Sequence, residues 1–313
     1  MDIIVYSGPL HGGEIVKEML GAKYEVRIVE PTAGSLLPQF EACTVFLDAS
    51  MKVPISAGSI SKADKLKLIV TATTGADHID QKALDNRGIP LLTLKGQKEI
   101  LKNITAAAEH SWCLLMACAR KLRSAVHHVE EGKWERIEFP GEMFIDKTIG
   151  VIGLGRIGSW IARYANAFGM HVLAYDPNIS DPPAYVRSVD LDELVTASDF
   201  ITIHVHLNSE TEGMLNAELI RKFKRGSVFI NTARGELADE TALVEALQGD
   251  IIKAVGVDVL CGEPDISQNP LWQYSQQNSN VIITPHIGGF CPEAVDKVVR
   301  FSCKRILEYL GAK

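Results

Sequence analysis

The stretch Val151–Asn178, VIGLGRIGSWIARYANAFGMHVLAYDPN, decides the fold. An apolar run enters a glycine-rich turn, a helix-like segment follows, and a second apolar run ends on an acid. Gly153, Gly155 and Gly158 give the pattern G-x-G-x-x-G. The first glycine permits a tight turn, the second lets the backbone approach a pyrophosphate, and the third lets helix and strand pack closely. The helix that follows offers free N–H groups and the positive end of its dipole to phosphates. A glycine turn alone is a weak signal, because such turns recur wherever strands meet helices; its context strengthens it. Asp176 follows Gly158 at close to the ~20-residue spacing at which an acid accepts hydrogen bonds from ribose hydroxyls. That carboxylate repels a 2′-phosphate, and no arginine follows it in DPNISDPP, so NAD is expected over NADP. Arg156, inside the turn, is expected to pair with the pyrophosphate.

About half of the sequence precedes this unit. At 313 residues the chain exceeds the size at which one hydrophobic core is comfortable, which favours two domains. DIIVYS, EVRIVE, TVFLDAS, LKLIVTAT and IPLLTL have strand length, with polar-apolar stretches such as GEIVKEML and HIDQKALDNRG between them. Near-continuous apolar strands alternating with helices indicate a parallel sheet covered on both faces. NITAAAEHSWCLLMACARKLRSAVHHVEEGKW then places Trp112, Leu115, Met116, Ala119, Leu122 and Val126 at helical spacing and reads as one long helix. Beyond the glycine turn, FITIHV, SVFINT, AVGVDVL and NVIITPH are strand-like. The tail EAVDKVVRFSCKRILEYL is amphipathic, with Val295, Val298, Val299, Ser302, Ile306 and Leu310 on one face. The expected fold is α/β: two doubly wound parallel-sheet domains with an interdomain cleft. Residues 1–98 plus 289–313 form a discontinuous substrate domain, and residues 99–288 form the nucleotide-binding domain. Two crossings, near Gln97–Glu99 and His286–Phe290, make hinge closure over the cleft a natural expectation.

Composition narrows the function classes. The chain is 46% hydrophobic and 23% charged, with 32 basic against 39 acidic residues and a net charge of −7. That balance argues against nucleic acid or an anionic membrane as the main partner. MDIIVYSGPL carries an acid and no basic n-region, so it does not read as a secretory signal, and no apolar run approaches the ~18 residues of a membrane span. The six cysteines show no C-x-x-C pair and read as reduced, which points to the cytoplasm. His204 and His206 share one strand face, but nothing nearby completes a metal set, so no metal is expected. His127 and His128 read as surface residues. Cys261 reads as an ordinary loop residue.

Three strands after the glycine turn end on chemically suggestive residues: SVFINTARG near Arg234, AVGVDVLCGEP near Asp258 and Glu263, and NVIITPHIGG on His286. In doubly wound sheets the carboxyl ends of the strands meet at one ligand-binding rim. There His286 would give a proton to a carbonyl oxygen as a hydride arrives, or take it back from a hydroxyl. Glu263 on the other ring nitrogen would fix the tautomer and favour the imidazolium. Arg234 would hold a substrate carboxylate in its planar fork.

With these residues in place the sequence resembles the NAD-dependent D-2-hydroxyacid dehydrogenase family, which includes glyoxylate and hydroxypyruvate reductases, phosphoglycerate dehydrogenases and formate dehydrogenases. The resemblance covers nearly the whole chain. It is most specific in AAEHSWCLLMACARKL, KTIGVIGLGRIG, INTARGELADETAL, GVDVLCGEP with NPLW, and TPHIGGFCPEA. It implies a flavodoxin-like substrate domain beside a Rossmann NAD-binding domain, with Arg234, Glu263 and His286 as the catalytic set. It implies cofactor contacts at Gly153, Gly155, Arg156, Ile157, Gly158, Asp176, His204, Val205, Thr211, Thr232, Ala233, Asp258 and Gly288, with Asp258 near the nicotinamide amide. It also implies a homodimer built partly on the Trp112 helix.

Two blocks depart from the family pattern. TATTGADHID occupies the place whose backbone N–H groups bind the substrate carboxylate, which marks Thr74 and Gly75; Thr73 replaces a common glycine and His78 a common asparagine. The Asp-His pair resembles formate dehydrogenases, but those enzymes usually carry glutamine where this chain has Glu263. In FLDASMKV, Asp48 and Ala49 replace an arginine-serine pair, so Ser50 or Lys52 is expected to make the substrate contact. This weakens a phosphoglycerate assignment, and the chain is expected to be without the C-terminal regulatory extension found on some phosphoglycerate dehydrogenases. His206 replaces a common proline. The expected reaction is reversible NAD(H)-dependent hydride transfer between a small 2-oxo acid, such as glyoxylate or hydroxypyruvate, and its D-2-hydroxy acid. The alternatives are an NAD(H)-sensing, corepressor-like binding protein on the same fold and a formate dehydrogenase-like enzyme.

Overall fold

A computed structural model describes residues 2–311 of the chain. Residues 1, 312 and 313, the outer limits of the expected substrate domain, lie outside the described residues. The chain divides into two compact units, Met1–Ile104 with Phe290–Lys313, and Thr105–Gly289.

The first unit carries β1 (Ile3–Ser7), β2 (Glu25–Val29), β3 (Val45–Asp48), β4 (Leu68–Thr71) and β5 (Leu91–Leu92). They form one parallel sheet in the order β2-β1-β3-β4-β5. Successive side chains of a strand point to opposite faces, so an uninterrupted apolar run serves two cores. Ile4, Tyr6, Val45, Leu47, Leu68 and Val70 bury one face, together with Ile15, Val16 and Leu20 of the helix Leu10–Leu20. Val5, Phe46 and Ile69 bury the other with Leu36, Phe40, Ile60 and Leu84. The helix Pro292–Gly311 returns to the first of these cores and packs on Leu10–Leu20. Val295, Val299, Ser302 and Ile306 are buried there, while Val298 and Leu310 are partly buried against the same cluster.

The second unit carries β6 (Thr148–Ile152), β7 (His171–Tyr175), β8 (Val186–Ser188), β9 (Phe200–Ile203), β10 (Ser227–Asn231), β11 (Ile252–Val257) and β12 (Val281–Ile283). All pair in parallel, in the order β12-β11-β10-β9-β6-β7-β8. Ile149, Val151, Phe200, Val228 and Ile230 face one core with Trp112, Leu114 and Leu115. Ile152, Ile201, Ile203, Phe229, Val255 and Val257 face the other. From β6 the chain proceeds to β7 and β8 on one side and then returns to β9 on the other. The crevice beyond the carboxyl ends of β6 and β9 is therefore a topological switch point, where such sheets bind ligands. The two-sheet α/β architecture read from the sequence is the one observed.

Two local readings are corrected. The segment read as one long helix is two, Ala106–Ala119 and Leu122–Glu130. Lys121 between them sits in the left-handed region at φ 50°, which stops the helical hydrogen-bond ladder. The apolar face divides accordingly: Trp112, Leu115 and Ala119 are buried, whereas Met116, Leu122 and Val126 are exposed. His128 is buried rather than on the surface; its Nε2 accepts the Glu135 N–H at 2.9 Å and its ring meets Phe139 edge-on.

Candidate active site

The glycine turn follows β6, and each glycine has its own constraint. Gly153 lies at φ 87°, in the left-handed region, and a Cβ there would press on Val205 and the His204 backbone. A Cβ on Gly158 would overlap the Gly153 carbonyl oxygen, so helix and turn close only around a glycine. Gly155 differs: nothing lies within 4 Å of the position its Cβ would take. It caps the helix Arg156–Ala167 without a side-chain hydrogen bond, and the first N–H groups of that helix open onto this space. Asp176, just past β7, ties the second strand to the turn: Oδ2 accepts the Leu154 N–H at 2.9 Å and Oδ1 accepts the Asn178 N–H at 2.9 Å. Each oxygen keeps a lone pair for a ribose hydroxyl. A cradle without a Cβ, an uncapped helix and an acid beside them fit a dinucleotide.

The other expected cofactor contacts are distributed over neighbouring segments. Burial lowers the pKa of the Arg156 guanidinium. Ile157 and Val205 are packed against the core clusters. His204 follows β9; its Nε2 lies 2.8 Å from Thr202 Oγ1, and burial pushes its pKa down to about 3, so the ring is neutral. His204 Nδ1 is buried without a partner in the structure. Thr211 donates to the His206 carbonyl at 2.6 Å. Ser111 donates to the Ala107 carbonyl, so in the 2.6 Å Ser111–Thr232 contact the Thr232 hydroxyl is the donor.

Past β10, Asn231 shapes the turn that carries Ala233 and Arg234. Its Nδ2 donates to the Arg234 carbonyl at 2.7 Å and its Oδ1 accepts the Ala233 N–H at 3.0 Å. Past β11, Asp258 is 1% exposed and gathers donors from the β12 end. Thr284 Oγ1 (2.5 Å) and the Ile287 N–H (2.9 Å) reach Oδ1, and the Gly288 N–H (2.7 Å) reaches Oδ2. Burial alone would raise this carboxyl, but hydrogen bonds from His110, Thr284, Ile287 and Gly288 outweigh it and hold its pKa down. Thr284 spends its proton on Asp258, so the His110 Nε2 proton is shared between the Thr284 oxygen at 2.8 Å and Asp258 Oδ1 at 3.3 Å.

His286 stands on this platform. Its N–H donates to the Asp258 carbonyl at 2.8 Å, and its backbone is left-handed at φ 55°. That conformation costs about 1 kcal/mol or more outside glycine and persists because the Asp258 contacts impose it. The ring Nδ1 lies 2.5 Å from Glu263 Oε1, with both side chains about one-third exposed (35% and 33%). A carboxylate accepts only, so Nδ1 carries a proton and Nε2 is left to exchange one with a substrate.

In the first unit, Asp48 turns inward. It is 2% exposed and accepts from the Ser50 N–H (3.0 Å), Ser50 Oγ (2.8 Å), the Met51 N–H (3.0 Å) and His78 Nε2 (2.8 Å). Its charge is spent on the loop that follows β3 and on His78. The Ser50 hydroxyl is donated to that carboxylate, whereas Lys52 is exposed. Thr74 and Gly75 are partly buried, and Thr73 Oγ1 donates to the Gly75 carbonyl at 2.7 Å. Burial and the nearby Glu240 push the pKa of the Cys261 thiol up to about 12.

Sequence reading missed the supports: His110, Ser111, Asn231, Glu240, Asn269 and Thr284. Only Asn231 and Thr284 carried a signal, as polar residues at the carboxyl ends of apolar strands. The others lie in helix or loop patterns where a polar residue reads as solvated.

A glycine cradle, an acid beside it and a histidine–carboxylate pair at one parallel-sheet rim define a dinucleotide-dependent oxidoreductase type of domain. Residues 112–288 match the family model described as D-isomer specific 2-hydroxyacid dehydrogenase, NAD binding domain. The chain is 37% identical over 257 residues to a hydroxypyruvate reductase of Thermotoga maritima, covering 82% of each. It is 36% identical over 282 residues to a D-3-phosphoglycerate dehydrogenase of Mycobacterium bovis, covering 89% of this chain and 51% of that one. The chain thus spans about half the length of the phosphoglycerate dehydrogenases it matches. Among solved structures, D-lactate dehydrogenase from Aquifex aeolicus, complexed with NAD and lactic acid, superposes with a TM-score of 0.83 at 27% identity, covering 99% and 96% of the two chains. The chain belongs to the D-isomer-specific 2-hydroxyacid dehydrogenase family, and its cofactor is NAD.

Proposed function

We propose that the protein interconverts a small 2-oxo acid and its D-2-hydroxy acid, with hydroxypyruvate and glyoxylate as the first candidates. The observation that carries this reading is the His286–Glu263 pair, 2.5 Å apart, on the same strand-end rim as the glycine turn. NAD(H), when bound, would supply or accept the hydride exchanged with the substrate's second carbon. In reduction, His286 Nε2 gives its proton to the carbonyl oxygen, which becomes the hydroxyl; in oxidation it takes that proton back. Glu263 holds the ring by Nδ1 and stabilises the imidazolium formed in the oxidative direction. Arg234 receives the substrate carboxylate in its planar guanidinium fork. Asp258, buried and ionised, is the acceptor for the nicotinamide amide. The Thermotoga hydroxypyruvate reductase supports hydroxypyruvate as a candidate because its match covers most of both chains.

We also propose a homodimer through the second unit. Leu122, Val126, Val129, Trp134, Ile137, Met143 and Ile145 are exposed along one stretch of it. Among the described residues no helix is long and apolar enough to cross a membrane.

NADH oxidation measured over hydroxypyruvate, glyoxylate, pyruvate and bulkier 2-oxo acids tests the reaction. His286→Ala is expected to lower kcat/KM by roughly 10²–10⁴ while NADH binding persists. Tight NADH binding with no turnover of any 2-oxo acid would replace this reading with the NAD(H)-sensor one.

A further inference from the structure

We infer that Glu240 is a positioning residue for the reaction: one buried carboxylate anchors both ends of the loop that presents Glu263 to His286. The inference rests on the reading of His286 and Glu263 as the proton-transfer pair.

Glu240 opens the helix Glu240–Gln248 and is only 7% exposed. A carboxylate in the first turn of a helix ordinarily faces water and interacts with the helix dipole. This one is directed inward at a single loop. Oε1 accepts the Cys261 N–H at 3.1 Å, where the loop begins, and Oε2 accepts Asn269 Nδ2 at 2.5 Å, where it ends. Asn269 Nδ2 also donates to the Cys261 carbonyl at 3.1 Å, closing the two ends on each other. Asn269 Oδ1 then accepts the N–H groups of Leu271 and Trp272, fixing the start of the helix Pro270–Ser275. Glu263 lies inside the loop closed in this way.

A second contact joins the same brace to Arg234. Gly235 lies so close to the Leu260–Cys261 backbone that a Cβ would overlap it. The chain segment that displays Arg234 and the one that displays Glu263 are thus in direct backbone contact, beside the Cys261 N–H that Glu240 holds. Burial raises the Glu240 pKa against its hydrogen bonds, as expected for an acid kept from water by structure. No hydrogen bond or ion pair joins Glu240 to the His286 ring; its effect passes through the position of Glu263.

The replacement Glu240→Gln preserves shape but converts one acceptor into a donor, which then faces either the Cys261 N–H or Asn269 Nδ2. Asn269→Ala releases the other end of the loop and leaves Glu240 in place. For both variants kcat/KM for hydroxypyruvate reduction is expected to fall about tenfold to a hundredfold, the scale of a misplaced catalytic group. The alkaline limb of the pH profile should move to lower pH while NADH affinity is retained. The His286 imidazole titration by NMR, assigned with His286→Ala, should shift the same way and needs no turnover. In a Glu263→Gln background, Glu240→Gln should add no further shift, because the effect runs through Glu263.

A His286 titration unchanged in Glu240→Gln and Asn269→Ala overturns the inference, even if both proteins melt earlier. Shifts that add fully to that of Glu263→Gln also overturn it. Should Glu240→Gln fail to fold, Asn269→Ala decides alone. Absence of turnover in the unmodified protein defeats the dehydrogenase reading instead, and the NMR titration still decides the brace.

Discussion

At Gly155 and Gly158 an added methyl group meets opposite surroundings within one turn. The Gly155 Cβ would enter the open space in front of the helix, whereas the Gly158 Cβ would overlap the Gly153 carbonyl oxygen. Gly155→Ala should therefore weaken NADH binding by about tenfold or more with little change in melting temperature. Gly158→Ala should lower stability by about 1–3 kcal/mol, because the backbone must move to admit it. Equilibrium NADH titration and thermal melts of the two variants check the split; equal losses of stability would refute it. His204 supports a pH prediction. Its folded pKa is about 3, against about 6.5 for an unfolded histidine. Above that unfolded value both states are neutral and the full stability is present. As pH falls from 6.5 towards 3, the unfolded chain binds a proton that the buried ring excludes, and stability is lost across that window. At pH 5 the loss is on the order of 1–2 kcal/mol. Melts at pH 7 and pH 5 should show a smaller acid decrement for His204→Asn than for the unmodified protein.

At the scale of elements, the loop after β3 shows how one substitution redirects a segment. Four donors converge on Asp48, including His78 from the loop after β4, and Met51 takes a left-handed φ of 57° around it. His78 Nε2 donates to Asp48, while its Nδ1 is buried without a partner. Asp48→Asn turns an NH₂ group towards these donors and should destabilise the first unit by about 2–4 kcal/mol, measured by urea unfolding. The sequence identified Asp48 as unusual but not its direction, which depends on His78 far along the chain. The strands were legible because β1, β3, β4, β6, β9, β10 and β11 are apolar runs serving two cores. The helix break at Lys121 was not, because no glycine or proline marks it and the apolar spacing runs on across it. The candidate site divides in the same way. Arg234, Glu263 and His286 follow apolar strands, where topology alone brings chemistry together. His110, Glu240 and Asn269 sit in helix and loop patterns, and their roles exist only through contacts with residues remote in sequence.

For the molecule as a whole, the stretch 122–145 is the feature that a solitary chain does not explain. Trp134 is 84% exposed, Ile137 87% and Met143 77%, with Leu122, Val126, Val129 and Ile145 exposed nearby in sequence. Single exposed apolar residues are ordinary, but a sustained series of large ones marks a surface meant to be covered. The same stretch begins where the helix breaks at Lys121. A second copy of the chain is the simplest occupant, since a two-fold contact needs only one self-complementary surface. Sedimentation velocity or light scattering should give twice the chain mass at micromolar concentration. Trp134→Asp combined with Ile137→Asp should place desolvated charges on both sides of a two-fold contact and shift the protein to monomer. NADH binding should survive, because the glycine turn, Asp176 and Asp258 are untouched. A monomer before any substitution, or a dimer indifferent to both charges, would show that these side chains serve some other contact.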